Sequence, residues 1–320
     1  MKKICCIGSV TTDIILSPVD ALPAPGKLQK IAGASTHVGG CASNAAIDLA
    51  KLGVPALLCC KVGADSFGDF VLRTCEEAGV DTRGVLRDPS AATTTSAVCV
   101  SSEGERSFLY CPGSTSALRA EEIPEGLLAE CGIIFIGGAL LLTSFDGAPC
   151  GQLLRRMREQ GKFTVMDTAC DFDGVWLPKI REALPGLDLF MPSYDEAAAL
   201  SGERELSKIA DFFFDCGVGQ VVVKTGGDGA YFAPSREERF LLPAYTEIRP
   251  VDTTGAGDSF CAGFLCGLAQ GWSFEQCGRL ANAVGAHCIQ AVGASTGIPS
   301  LPAVLDFMER HPKLQRKDVL

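Results

Sequence analysis

The residues best suited to chemistry lie in one run, Asp252-Thr253-Thr254-Gly255-Ala256-Gly257-Asp258. Gly255, Ala256 and Gly257 carry almost no side chain, so a ligand can come close to the main chain. The run reads as a strand end, a small-residue turn and then a helix. The first amides of a helix have no partner within it and carry the positive end of its dipole. The amides of 255–258 are therefore expected to hold an anion such as a phosphoryl group. Asp258 stands in the first helical turn beside them. A carboxylate suits that place if it takes the proton of a hydroxyl that attacks the held phosphoryl group. The helix dipole alone also favours an Asp in a first turn, so this run leaves both readings open. Two other phosphate-binding patterns are excluded by spacing. No G-x-x-x-x-G-K-[ST] occurs, and the third small residue of a dinucleotide fingerprint is replaced by Phe260.

The elements that must position this run follow from the apolar pattern. Short apolar runs at 3–7, 56–62, 133–137, 163–167, 188–191 and 220–224 predict strands. Longer runs at 42–52, 66–78, 148–160, 195–201, 207–216, 258–270 and 274–291 predict helices. This alternation predicts an α/β fold whose mostly parallel sheet is covered on both faces. Asp13 follows the first strand at its C-terminal end, where open α/β sheets place ligands. Turn preference also accounts for an Asp there. Residues 14–37 alternate loosely and are interrupted by Pro18, Pro23, Pro25 and Gly26. Residues 94–111 predict a hairpin whose turn is Glu103-Gly104-Glu105-Arg106. No linker, low-complexity segment or repeat divides the chain, so residues 1–320 are read as one domain.

Composition narrows the partners. A formal net charge of −10 over 320 residues argues against nonspecific binding to nucleic acid or to an anionic membrane. Hydrophobic residues make up 47%, enough for a sizeable core. The sixteen cysteines fall mostly in apolar runs such as Ile4-Cys5-Cys6-Ile7 and read as small buried hydrophobes. No C-x-x-C occurs and the three histidines are scattered, which argues against zinc. Unpaired thiols in an α/β chain predict a reducing, cytoplasmic setting. The apolar run after Met1-Lys2-Lys3 breaks at Thr11-Thr12-Asp13 without a signal-peptide cleavage site, and no stretch has transmembrane length.

The run D-T-T-G-A-G-D-S-F-x-A-G-F at 252–264 resembles the C-terminal signature of the ribokinase-like sugar kinases, the PfkB family. Gly39-Gly40-Cys41-Ala42-Ser43-Asn44-Ala45-Ala46, with Leu52-Gly53 and Gly63, resembles the N-terminal signature. The resemblance spans roughly 3 to 310. It implies a ribokinase-like three-layer α/β/α sandwich plus a small β-sheet lid formed by about 14–37 and 94–111. It implies transfer of the γ-phosphoryl group of MgATP to a hydroxymethyl group of a small sugar. Asp258 would be the general base, and Gly255, Ala256 and Gly257 the anion hole. Asp13, Gly39, Gly40 and Asn44 would bind the sugar. Glu196 would organise Mg2+ through water, with Ser193 standing where the family motif N-x-x-E has Asn. Lys224, Thr225, Gly226 and Gly229 would lie along the nucleotide, and Asn282 near the adenine. Asp252, the Thr254 carbonyl and Gly293 would be placed to hold K+, although Gly297 stands where several potassium-binding members have Ser.

Other departures bear on the substrate. Ribokinases have Lys at Cys41 and a Glu after the strand near 133–137, where this chain reads Gly137-Gly138-Ala139. Fructokinase-like and ketodeoxygluconate-kinase-like members carry Asp-x-Asn-x-Arg. Here Asp167-Thr168-Ala169-Cys170-Asp171 keeps only the first Asp, while Trp176 matches. Losing the Arg and gaining Asp171 and Asp173 favours a neutral polyhydroxy substrate, or one with an amine, over an acidic sugar. Two other readings stay open. A nucleoside kinase could grip a base with Phe108 and Tyr110, and a sensing protein could keep the fold without turnover. Exposed lid edges would also allow a homodimer.

Overall fold

A computed structural model describes residues 2–103, 105–311 and 314–319. Gly104, at the centre of the expected hairpin turn, lies outside the described residues. The first half of the chain contains β1 (Ile4–Gly8), β2 (Thr11–Ser17), β3 (Gly33–Gly39), α1 (Cys41–Lys51), β4 (Ala56–Gly63), α2 (Ser66–Glu77), β5 (Asp81–Asp88), β6 (Thr95–Val100), β7 (Arg106–Cys111), α3 (Glu125–Ala129), β8 (Ile133–Ala139) and α4 (Ala148–Glu159). The second half contains β9 (Phe163–Thr168), α5 (Leu177–Ile180), β10 (Leu189–Phe190), α6 (Tyr194–Ser201), α7 (Leu206–Asp215), β11 (Gln220–Lys224), β12 (Ala230–Ala233), β13 (Phe240–Leu242), α8 (Ala256–Gln270), α9 (Phe274–Cys288), α10 (Leu301–Arg310) and β14 (Lys317–Asp318).

The main sheet has the order β14-β13-β12-β11-β10-β9-β8-β1-β4-β5. It is parallel from β5 through β11 and antiparallel from β11 to β14. The central strands have no polar face, because each side of the sheet is covered. Ile4 and Cys6 of β1 point into one core, while Cys5 and Ile7 point into the other. In β11, Val222 joins the first core and Val221 and Val223 the second. Helices α1, α2, α8, α9 and α10 cover the first face, and α3 to α7 the second. The molecule is thus a three-layer α/β/α sandwich. Its core cysteines, Cys5, Cys6, Cys59 and Cys60 among them, are free and buried.

Each strand and helix expected from the apolar pattern has a counterpart. The pattern did not reveal β5, which reads Asp-Thr-Arg-Gly-Val-Leu-Arg-Asp. It is an edge strand, mostly half-exposed, so charges are tolerated along it and no apolar run forms.

The segments expected to form the lid carry a separate four-stranded sheet, β3-β2-β6-β7. The turn-preference reading of Asp13 falls, because Asp13 is not in a loop after β1. The chain crosses from β1 in two residues, Ser9 and Val10, and β2 of the second sheet already begins at Thr11. Asp13 is therefore held by strand pairing, opposite His37 of β3 and Ser96 of β6.

The site is set by topology. From β1 the chain builds β4 and β5 on one side, then returns to build β8 on the other. The crevice at the C-terminal ends of β1 and β8 is thus a topological switch point, where doubly wound sheets take ligands.

Candidate active site

Helix α8 starts at Gly255, whose φ of 77° lies in the left-handed region. A Cβ there would also stand 2.5 Å from the Ala294 side chain, so glycine is required on two counts. No side chain caps this end; the Ala256 amide donates to the Thr253 carbonyl at 3.2 Å, while the amides of Gly257 and Asp258 have no backbone partner and can meet a ligand. Gly257 lies beside Lys224, whose Nζ would be 3.3 Å from a Cβ at 257. A positive charge therefore adjoins the turn.

Helix α1 starts close by at Gly40, with φ 97° and the Ser9 carbonyl 2.6 Å from where a Cβ would be. Two side-chain hydrogen bonds join α1 to α8. Asn44 Nδ2 donates to Asp258 Oδ2 at 2.8 Å, and Ser259 Oγ donates to the buried Asp48 Oδ2 at 2.6 Å. Asn44 Oδ1 is buried and has no partner. Asp258 is only partly exposed. Burial raises its carboxyl above the ordinary range, against the hydrogen bond from Asn44 and the charge of Lys224.

Asp13 enters the same space from the second sheet. Thr11 Oγ1 donates to its Oδ1 at 2.9 Å. Its Oδ2 lies against Gly39, where any Cβ would overlap it. Burial raises the Asp13 carboxyl; Thr11 and His37 pull against this, and the charge of Asp258 adds to it. Asp13, Gly39, Gly40, Asn44 and Asp258 are thus brought together. Tyr110 of β7 joins them. Its hydroxyl is buried without a partner, and burial beside Cys41, Cys111 and Asp13 pushes it up to about 12. The sequence reads Tyr110 as a base-gripping aromatic or as packing within its sheet, because the strand pattern does not say which residue of β7 faces the site.

Beside the glycine turn, Lys224 Nζ lies 2.7 Å from both oxygens of buried Asp167. Burial works against the Lys224 charge, but Asp167 outweighs it and holds the ammonium above its ordinary range. Glu196 Oε2 accepts from Thr168 Oγ1 at 2.9 Å and from the Ser193 amide at 3.0 Å. The Ser193 side chain caps α6 by accepting from the Glu196 amide, so its first task is local. Among the described residues no group of three or more His, Cys, Asp or Glu could hold a metal ion alone. Mg2+ would fit such a place only where phosphate oxygens and water completed its shell, and Glu196 would then be an outer carboxylate.

Thr225 to Gly229 form a tight turn, with the Thr225 amide donating to the Gly229 carbonyl at 2.9 Å. Gly226 opens that turn with φ 60°, and the Thr225 hydroxyl is buried without a partner. Asn282 does not project into open space. Its amide donates to the Pro243 carbonyl at 3.1 Å and anchors the segment after β13.

Asp252, Thr254 and Gly293 also converge, but not as an open cage. Asp252 accepts from the amides of Thr254 at 2.7 Å and Gly293 at 2.8 Å. The Arg106 guanidinium, 2.5 Å away, takes its remaining side. Burial raises the Asp252 carboxyl less than these donors lower it, and it stays below the usual range. The Thr254 carbonyl already accepts from Cys288 Sγ at 3.3 Å. These groups do not fit a free K+. No signal in the sequence marks Arg106, because its partner is far away along the chain.

The start of α8 thus stands at a switch-point crevice with a cation below it and a carboxylate beside it. The chain belongs to the pfkB family of carbohydrate kinases, whose family model matches residues 1–301. It is 30% identical over 304 residues to the 2-dehydro-3-deoxygluconokinase of Bacillus subtilis, covering 91% of this chain and 93% of that one. Arabidopsis thaliana ribokinase complexed with ribose and ATP aligns with a TM-score of 0.84 at 25% identity, over 96% of this chain and 99% of that one. A protein described as a ribokinase II of E. coli, in complex with ATP and Mg2+, aligns with a TM-score of 0.83 at 26% identity, over 97% and 100%. The sandwich is therefore ribokinase-like.

Proposed function

We propose that this enzyme transfers the γ-phosphoryl group of MgATP to a hydroxymethyl group of a small neutral carbohydrate. The observation that carries this reading is the Asn44–Asp258 pair at the free end of α8. Asp258 accepts the proton of the attacking hydroxyl. The amides of 255–257 and the nearby Lys224 ammonium stabilise charge on the group in transfer. Asn44 Oδ1, Asp13 and the Tyr110 hydroxyl offer polar atoms to the other sugar hydroxyls. When bound, Mg2+ neutralises phosphate charge, with Glu196 as its outer carboxylate. The turn at Thr225–Gly229 lies along the nucleotide.

Neutrality of the substrate rests on Asp13 and Asp258, whose charges oppose a carboxylate beside them. Asp171, weighed from sequence for the same purpose, does not serve. It accepts from the amides of Trp176 and Asp173 and pairs with Lys179, so it orders its own loop. The sixteen free cysteines support a reducing, cytosolic setting. Among the described residues no helix is long and apolar enough to cross a membrane. Open lid edges at β3 and β7, with Phe108 and Leu109 exposed, support pairing with a second copy. Sedimentation at micromolar protein should give twice the chain mass, and a monomer mass would remove that pairing.

The test is ADP release from MgATP with wild type and Asp258→Asn, across neutral sugars, amino sugars, sugar acids and nucleosides. Turnover on one neutral sugar class is expected, with the variant slower by roughly 10²–10⁴-fold in kcat. Near-normal turnover in the variant would remove Asp258 from its role. Turnover on nucleosides alone would replace the sugar reading. Sugar and ATP binding without ADP would mark a sensor.

A further inference from the structure

Arg106 begins β7 in the lid sheet, yet its guanidinium reaches the loop that leads into α8. Its Nη1 lies 2.5 Å from Asp252 Oδ1 and donates to Thr254 Oγ1. The pair spans a cleft between lid and body, lined in part by Ile15, Val100, Val251 and Val292. The Asp252 side chain is 0% exposed. A buried carboxylate with no cation is strongly unfavourable. Among the described residues Arg106 is the cation that meets it. The Asp252 oxygens hold the Thr254 and Gly293 amides, and the single Cys288 S–H, 3.3 Å from the Thr254 carbonyl and 3.1 Å from the Ala294 carbonyl, donates to one of the two at a time.

These contacts form a chain of constraint. Arg106 fixes Asp252, Asp252 fixes the Thr254 amide, and Thr254 precedes the glycine turn. Asp252 also fixes Gly293, whose neighbour Ala294 packs against Gly255. We infer that Arg106 is a positioning residue that brings the charge neutralising Asp252 from the lid, in place of a monovalent cation, so that the anion hole is complete only while the lid is closed. This rests on the phosphotransfer reading above. A planar guanidinium can meet Asp252 and Thr254 at once, which a lysine ammonium does less well.

The test uses the full chain as wild type, Arg106→Ala and Arg106→Lys. Melting is measured in KCl, NaCl and choline chloride at equal ionic strength. The wild type should melt at one temperature in all three. Arg106→Ala should melt lower and regain stability selectively with K+ or with millimolar guanidinium. In turnover the wild type should not need K+. Arg106→Ala should lose roughly 10–10²-fold in kcat, the scale of a small misplacement, with the sugar KM little changed. K+ or guanidinium should restore part of that loss, and Arg106→Lys should fall between. A wild type that needs K+, or that K+ stabilises over choline, would overturn the inference. So would an Arg106→Ala enzyme with unchanged kcat. If Arg106→Ala does not fold, Arg106→Lys decides by the same salt comparison, and indifference to the substitution counts against the inference. Should the wild type phosphorylate nothing in the panel, the phosphotransfer reading fails, while melting still decides whether the guanidinium replaces the ion.

Discussion

At Asp258 burial and hydrogen bonding pull in opposite directions, and with Asp258 as the proposed base their balance sets the working pH. Burial favours the protonated carboxyl, while the Asn44 amide and the Lys224 charge favour the carboxylate. A base must be deprotonated to act. Activity should therefore fall on the acid side, at a pH above the ordinary carboxylate range near 4. Asn44→Ala removes the hydrogen bond and leaves burial in place. The acid limb of kcat/KM should then move up by about one pH unit, since a bond to a charged group is worth roughly 1.5 kcal/mol. A pH–rate profile of the two enzymes on one sugar decides this, and coincident acid limbs would detach Asn44 from the base. The glycine turn into α8 was legible in the sequence because a positive φ with a close neighbour demands a residue without a side chain. Tyr110 and Arg106 were not. Their roles depend on which face of a strand meets a distant loop.

Helices α1 and α8 together carry the candidate site, and a buried carboxyl ties one to the other. Asp48 accepts from Ser259, and burial pushes its carboxyl up to about 7. Folding therefore favours the protonated form. The stability this contributes is full below about pH 4, where the unfolded chain is also protonated, and is lost as pH rises towards 7. The loss is on the order of 1.4 kcal/mol per pH unit within that window. Asp48→Asn keeps an acceptor for Ser259 and carries no charge. The variant should match the wild type near pH 4.5 and exceed it at pH 8, as measured by urea midpoints. Equal midpoints at pH 8 would show that Asp48 titrates normally. The sequence showed these helices through their apolar faces and bounding glycines, but not this tie. A polar residue inside an apolar helix pattern gives no sign of its partner 211 residues away. The buried strands were legible for the opposite reason, since a strand covered on both faces must be apolar throughout.

Across the whole molecule, the alternation of strand and helix announced the layered sandwich, and two separated signatures announced its family. How the second sheet rests on the first is written in single contacts between distant residues. One is Arg106 with Asp252. Another is Tyr110 of β7 with Phe172, in the segment after β9, ring centroids 5.2 Å apart. Phe172 is 67% exposed, so its removal should cost the fold little. What it should weaken is the seating of the lid. A pair of this kind is worth about 0.5–1.5 kcal/mol, and 1.4 kcal/mol is tenfold in an equilibrium. Phe172→Ala should therefore raise the sugar KM roughly 2–10-fold through a larger open population. An open lid also admits water to the site, so ADP released per sugar phosphate formed should rise above one. Coupled ADP detection alongside direct measurement of the phosphorylated sugar reads both effects. A higher KM with the ratio still at one would mean that the contact guides the sugar without sealing the site, and no change in either would mean that the lid is held elsewhere.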